Sequence, residues 1–336
     1  MEFICSEKIR FGILGVSGHF IQRVSLGLRE SPLLQTHAIA SRSAQKAKAW
    51  AQKLEIPQWY DSYEEMLKNP DIDAVYIPLP NHLHFDWIKK SADAGKHILC
   101  EKPLTMTAPR AAEVVEYCRN KGVVIMEAFM YRCHPRWQRA RELVAVGEIG
   151  KPQFVHTFFS FANQNPHDIR NNPDMGGGAL YDIGCYAVSC ARFLFDKEPI
   201  RVQCVLTRDP DFKTDVLTTG ILDFGGERAT FSVGTRSFAF QQVDILGSDG
   251  RMSLPVPFNI YPDVPAELRI ITSVGTRSIQ FKPCDQYRAE FEGFARAVYQ
   301  KSDPPVPAAD AVKNMRVIDA LFESARTGDW IRPDSI

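Results

Sequence analysis

The chain has 336 residues, 45% of them hydrophobic and 24% charged, an ordinary globular composition whose length suits two hydrophobic cores better than one. Lys plus Arg and Asp plus Glu number 40 each, so no bulk field draws nucleic acid or an anionic membrane surface. No apolar run reaches the length of a membrane span, and Glu2, Glu7 and Lys8 interrupt the opening MEFICSEKIRFGI where a signal peptide would be apolar. Eight cysteines without a CxxC pair fit packed, reduced thiols and a cytoplasmic setting better than a disulfide frame or a metal centre.

Five short apolar runs occupy the first third: Ile9–Gly15, Thr36–Ser41, Asp73–Pro80, Lys96–Pro103 and Gly122–Phe129. Amphipathic stretches such as SAQKAKAWAQKL and APRAAEVVEYCRNK lie between them. This alternation predicts βαβ units and a parallel sheet, an α/β Rossmann domain over residues 1–127. Ligands of such sheets bind beyond the carboxyl ends of the strands, which singles out the residues that follow each run. After the first run, GILGVSGHF offers Gly12, Gly15 and Gly18, though not in the spacing GxGxxG. With Val16, Ser17, His19 and Phe20, these glycines would bring backbone amides and a helix start close to a pyrophosphate. A plain tight turn is the competing reading; the position after the first strand favours a dinucleotide. After the second run, Ser41 and Arg42 stand where NAD-selective enzymes carry an acid. A guanidinium suits a 2′-phosphate, so the expected cofactor is NADP, with NAD possible. Leu79, Pro80, Glu101 and Lys102, at the ends of the third and fourth runs, join the expected cofactor-facing set.

Tyr131, Arg132 and His134 open the second part, expected over residues 128–336. The runs QFVHTFFSFA, IRVQCVLT, VLTTGILDF, RATFSVGTR, FAFQQVDILG, LRIITSV and RSIQFK read as strands. Turn signals such as FGGER and GSDGR separate them, which predicts hairpins of an antiparallel sheet. Within this part, GGGALYDIGCYAV places Asp182 and Tyr186 four residues apart after three glycines. A helix beginning after the glycines sets the two residues one turn apart on one face. On this stretch alone, a glycine loop capping a helix with an ordinary tyrosine competes with a catalytic reading.

IPLPNHLHFDW followed by AGKHILCEKPLTMT, then EAFMYRCHPRW, GEIGKPQFV, GGGALYDIGCY, QYRAEFEGFARAV and VKNMRVIDALFESARTG, resemble the glucose–fructose oxidoreductase, inositol dehydrogenase and MocA (Gfo/Idh/MocA) family. The resemblance covers nearly the whole chain and is greatest to the dimeric dihydrodiol dehydrogenase and NADP-dependent D-xylose dehydrogenase branch. It implies an α+β C-terminal domain with one large open, mostly antiparallel sheet and helices on one face. It implies a cis bond before Pro103, and Asn81 and His84 near the nicotinamide ribose. It implies Lys102, Asp182 and Tyr186 as catalytic residues and Arg170 as a further substrate contact; Tyr131 and Arg132, from their place at the start of the second part, are candidates either to bind substrate hydroxyls or to cap structure. A phenol titrates near pH 10. An ammonium beside it would favour the phenolate, so Lys102 and Tyr186 are expected to exchange the substrate hydroxyl's proton while Asp182 orients that hydroxyl or Lys102. Apolar TFFSF and SFAFQQ on a sheet with an open face predict a homodimer or larger oligomer. The expected activity is NADP-dependent hydride transfer to or from a sugar, polyol or cyclic diol, with no metal. HExxH, GxSxG and P-loop motifs are missing, which removes the residues for metal, serine and NTP hydrolysis. The alternatives are a non-catalytic dinucleotide-binding sensor and a biliverdin-type reductase.

Overall fold

A computed structural model describes residues 8–336; Glu2, Cys5 and Glu7 lie outside the described residues. The α-helices in the first two hundred residues are α1 (Ser25–Arg29), α2 (Ala44–Lys53), α3 (Tyr63–Leu67), α4 (His84–Asp93), α5 (Ala108–Lys121), α6 (Pro135–Ala145) and α7 (Cys185–Phe195). α8 (Gln286–Gln300) and α9 (Ala308–Thr327) lie near the end. Contacts divide the chain into two compact units. The first holds the described residues through Thr105, Pro109–Cys133 and Asp285–Ala311; the second holds Met106–Ala108, His134–Cys284 and Val312–Ile336. This differs from a single cut between residues 127 and 128, because α8 follows the second sheet in sequence but clusters with the first unit.

The first unit is built on a parallel sheet of β1 (Ile9–Leu14), β2 (Leu34–Ala40), β3 (Gln58–Tyr60), β4 (Ala74–Ile77), β5 (His97–Glu101) and β6 (Ile125–Ala128). Their order, β3-β2-β1-β4-β5-β6, is that of the dinucleotide-binding fold, with its switch point between β1 and β4. β4 and β6 are buried at every residue, as strands covered on both faces must be. α2 and α3 start at serine caps: Ser43 Oγ accepts from the Lys46 N–H and Ser62 Oγ from the Glu65 N–H, each at 3.3 Å. α8 completes this core, its Phe291 and Phe294 rings lying 5.1 and 6.0 Å from that of Phe11.

The second unit carries an eight-stranded sheet. Its strands are β7 (Pro152–Ala162), β8 (Arg201–Arg208), β9 (Asp215–Asp223), β10 (Arg228–Gly234), β11 (Arg236–Gly247), β12 (Gly250–Pro255), β13 (Ala266–Thr272) and β14 (Gly275–Phe281). The order is β14-β13-β12-β11-β7-β10-β9-β8; β7 and β10 pair in parallel and the other neighbours run antiparallel. Along β7, Val155, Thr157 and Phe159 are buried, and the alternate face shows Phe158 at 41% exposure. α7 is buried at every residue, with Tyr186 packed between the rings of Phe159 and Phe258.

Candidate active site

The turn after β1 is shaped by Gly15, whose φ of +119° strains any L side chain. A Cβ on Gly15 would also press on Leu79 Cδ2 at 3.0 Å. Gly18 is exposed, and a Cβ there would meet nothing within the chain, so the space above the turn is open to a ligand. Val16 is buried while Ser17 and His19 are half-buried. Ser17 Oγ accepts from the Phe20 N–H at 3.0 Å, starting a π-helical turn, Phe20–Val24, that runs into α1. Gly12 and Phe20, two of the expected cofactor contacts, pack inside the fold. Gly12 sits mid-strand opposite Ala38 and Val75, where its missing side chain makes room for Met66 and Ile72. The Phe20 ring is fully buried and belongs to the core.

Beyond β2, Ser41 is buried with its Oγ accepting from the Ser43 N–H, and Arg42 is exposed. Burial raises the Tyr63 phenol's pKa and the Arg42 charge draws it back. A strained glycine with open space above it and an exposed guanidinium at the next strand end fit a dinucleotide carrying a 2′-phosphate.

β5 ends at Glu101, and the Lys102–Pro103 bond is cis. Tyr76 Oη donates to Glu101 Oε1 at 2.5 Å, and His19 Nε2 lies 3.3 Å from the same oxygen. Burial works to raise this carboxyl's pKa, but the His19 and Lys102 charges and the Tyr76 bond outweigh it and hold the value at about 2. An ionised carboxylate therefore precedes Lys102, which is half-buried. His84, expected beside the ribose, packs inside the first unit. Its ring is fully buried, with Nδ1 3.0 Å from the Pro103 carbonyl and Nε2 2.8 Å from the Leu79 carbonyl. It ties the ends of the third and fourth apolar runs together and so acts as a positioning residue. Pro80 and Asn81 are half-buried, Asn81 opening the turn that precedes α4.

Tyr131 and Arg132, expected as substrate contacts, pack within the first unit. Tyr131 is fully buried with its ring 5.9 Å from that of Phe129, and Arg132 Nη1 donates to Asp310 Oδ2 at 2.6 Å within the first unit. His134 caps α6, its Nδ1 accepting from the Arg136 N–H at 3.0 Å.

In the second unit, another π-helical turn, Leu180–Gly184, runs into α7 and carries Asp182, with Tyr186 just beyond. Such turns recur at functional sites. Arg170 Nε donates to Asp182 Oδ2 at 2.7 Å, and this carboxylate holds the guanidinium's pKa above its already high value. Two of the three glycines answer to the chain itself. A Cβ on Gly177 would strike the carbonyls of Ile169, Arg170 and Asn172, and one on Gly178, at φ +116°, would strike Asp215 Oδ1. Asp215 is 1% exposed, and its Oδ2 accepts from the Leu180 N–H and from Thr218 Oγ1, each at 2.7 Å.

Sequence reasoning missed Asp215, Tyr76 and the buried pair Tyr287 and Glu290 of α8. The Tyr287 ring meets His19 edge-on at 5.4 Å, and Glu290 is 1% exposed with its pKa pushed well up by burial and by the Glu101 charge. No motif links residue 290 to residue 101. Among the described residues no group of His, Cys, Asp or Glu is placed to hold a metal ion, and no helix is long and apolar enough to cross a membrane.

Residues 9–129 match an oxidoreductase family with an NAD-binding Rossmann fold, and residues 137–253 match the GFO/IDH/MocA C-terminal domain. A D-xylose 1-dehydrogenase (NADP(+)) from Haloferax volcanii is 43% identical over 326 residues, covering 96% of this chain and 99% of that one. A trans-1,2-dihydrobenzene-1,2-diol dehydrogenase from Xenopus tropicalis is 36% identical over 66% of this chain and 67% of its own. The crystal structure of KijD10, a 3-ketoreductase from Actinomadura kijaniata in complex with NADP and TDP-benzene, superposes with a TM-score of 0.90 at 29% identity, covering 95% of this chain and 98% of that one. The chain belongs to the Gfo/Idh/MocA family of oxidoreductases.

Proposed function

We propose that this chain is an NADP-dependent oxidoreductase that moves hydride between the nicotinamide and a CH–OH or C=O carbon of a sugar, polyol or cyclic diol. The observation that carries the reading is Lys102, set beyond β5 behind an ionised Glu101 in a sheet of dinucleotide-binding order. The match of nearly the full chain to a D-xylose dehydrogenase supports the substrate class.

The bound cofactor supplies hydride transfer. The chain's own residues do the rest. Backbone amides from Gly15 to His19 receive the pyrophosphate, and Arg42 with Ser41 receives the 2′-phosphate. Lys102 and Tyr186 exchange the substrate hydroxyl's proton, and Asp182, held by Arg170, orients that hydroxyl. Residues 1–127 bind the nucleotide, and residues 128–336 bind substrate and join copies of the chain. The second sheet's open face supports a homodimer, with Phe158, Leu217 and Phe240 at 41, 49 and 50% exposure. The free thiols of the described cysteines support a cytoplasmic setting.

Mixing the protein with NADP and a panel of aldoses, polyols and cyclic diols, while following absorbance at 340 nm, tests the activity. Turnover with at least one member is expected. NADP binding without turnover of any member would leave the sensor reading in its place.

A further inference from the structure

The second unit contains a cavity of about 780 Å³ that none of Arg170, Asp182 and Tyr186 lines. Its volume is that of a small-molecule site. One wall is aromatic: the rings of Tyr181 and Phe322 lie 4.9 Å apart at 52°. Thr214 lines it too, is 2% exposed, and its Oγ1 has no hydrogen-bond partner. A buried hydroxyl left unpaired is costly, and a turn about the Thr214 Cα–Cβ bond would bring it to a polar ligand in the cavity.

The charges around the cavity exclude simple ions. Arg208 and Arg326 face three carboxyl residues, Asp215, Asp319 and Glu323. Glu323 takes the Arg326 guanidinium through two hydrogen bonds, Arg208 Nη1 donates to the Lys213 carbonyl, and Asp215 and Asp319 each accept a backbone N–H, so cavity charges of both signs stand beside one another. An anion would meet those carboxyls and a cation would meet the arginine. A neutral ligand with several hydroxyls can donate to Asp319, accept from Arg208, bond Thr214 and lay a C–H face on Phe322.

We infer that this cavity is a second binding site, apart from the residues assigned to the chemistry, for a neutral polyhydroxylated ligand of the sugar or polyol class. Its occupant touches Tyr181, in the same turn as Asp182, and Gly177 just before that turn. The site therefore adjoins the segment that presents Asp182 without using its carboxylate.

The NADP-bound protein, soaked in crystals and titrated by saturation-transfer NMR with methyl β-D-xylopyranoside, tests this independently of turnover. Ser335 is an exposed residue of the cavity wall, so Ser335→Trp fills the space from outside and leaves the buried network intact. Thr214→Val removes the unpaired hydroxyl and keeps the shape. Expected are sugar density in the cavity, at least tenfold weaker binding for Ser335→Trp, and roughly two- to tenfold weaker binding for Thr214→Val, the usual worth of one hydrogen bond. Inorganic phosphate occupying the cavity in place of the sugar overturns the inference. So does an empty cavity, or a titration that Ser335→Trp leaves unchanged, which would assign the probe to the reaction site alone. Because binding is read directly, a failed substrate panel does not affect this result, and an empty cavity does not affect the proposed activity.

Discussion

Tyr186 is enclosed by Phe159 and Phe258, so removing its hydroxyl alone leaves the packing in place. Tyr186→Phe is expected to keep NADP affinity and thermal midpoint while kcat falls by roughly 10²–10⁴-fold, the usual worth of a positioned acid–base group. Lys102→Ala should be at least as harmful, and the double variant far less than additive if the two residues act as one relay. A Tyr186→Phe enzyme with near-normal kcat beside a dead Lys102→Ala enzyme would assign the proton to Lys102 alone. Cofactor choice belongs to this scale too. Arg42→Asp replaces an exposed guanidinium by a carboxylate at the end of β2. The ratio of kcat/KM for NADP to that for NAD is expected to fall by about 5–150-fold, equivalent to about 1–3 kcal/mol. An unchanged ratio would show that Arg42 makes no contact with the phosphate. Residues of this exposed, motif-borne kind were legible in sequence. The buried ones were not: Asp215 and Glu290 look like surface acids until the fold encloses them, and Tyr131 looks like a polar handle until it enters the core.

Elements read well where physics writes a continuous signal. β1, β2, β4, β5 and β6 are largely enclosed by helices, so each contains a short apolar run. β3 has three residues, with Trp59 40% exposed, and β12 alternates polar residues into a short hairpin arm; neither makes such a run. The start of α6 carries its own pH dependence. His134, 1% exposed, accepts the Arg136 N–H, and burial, with the Arg136 charge, lowers its pKa to about 4. In the unfolded chain a histidine titrates near 6.5. Between these values the unfolded chain binds more protons, so this cap's stabilisation is complete above pH ~6.5 and is lost as pH falls through about 4, on the order of 3 kcal/mol in all. His134→Asn keeps an acceptor for the same N–H and does not titrate. Urea midpoints at several pH values should decline more shallowly below pH ~6.5 for His134→Asn than for the parent. Parallel curves would show that His134 does not govern this range.

At the scale of the molecule, the open face of the second sheet asks for a partner. Phe158 and Phe240 are ring neighbours at 6.3 Å, and Val205 and Leu217 are 72 and 49% exposed on strands of the same sheet. Sedimentation at micromolar concentration is expected to give a homodimer, and Phe240→Asp should shift it towards the 37.9 kDa monomer, since an aspartate buried in an interface lacks a counter-charge. A monomer in the parent protein would sink the assignment. The three-segment make-up of the first unit has a consequence for how the protein is made. Its core needs Phe291 and Phe294 of α8 against Phe11, yet the ribosome delivers these rings only after the whole second sheet has emerged. At ordinary translation speeds, on the order of 10–30 s separates the last strand of the first sheet from the helix that seals it. During that interval the nascent nucleotide-binding half has all six strands of its sheet but not the helix that covers Phe11, and the second unit in turn waits for its own last segment, Val312–Ile336.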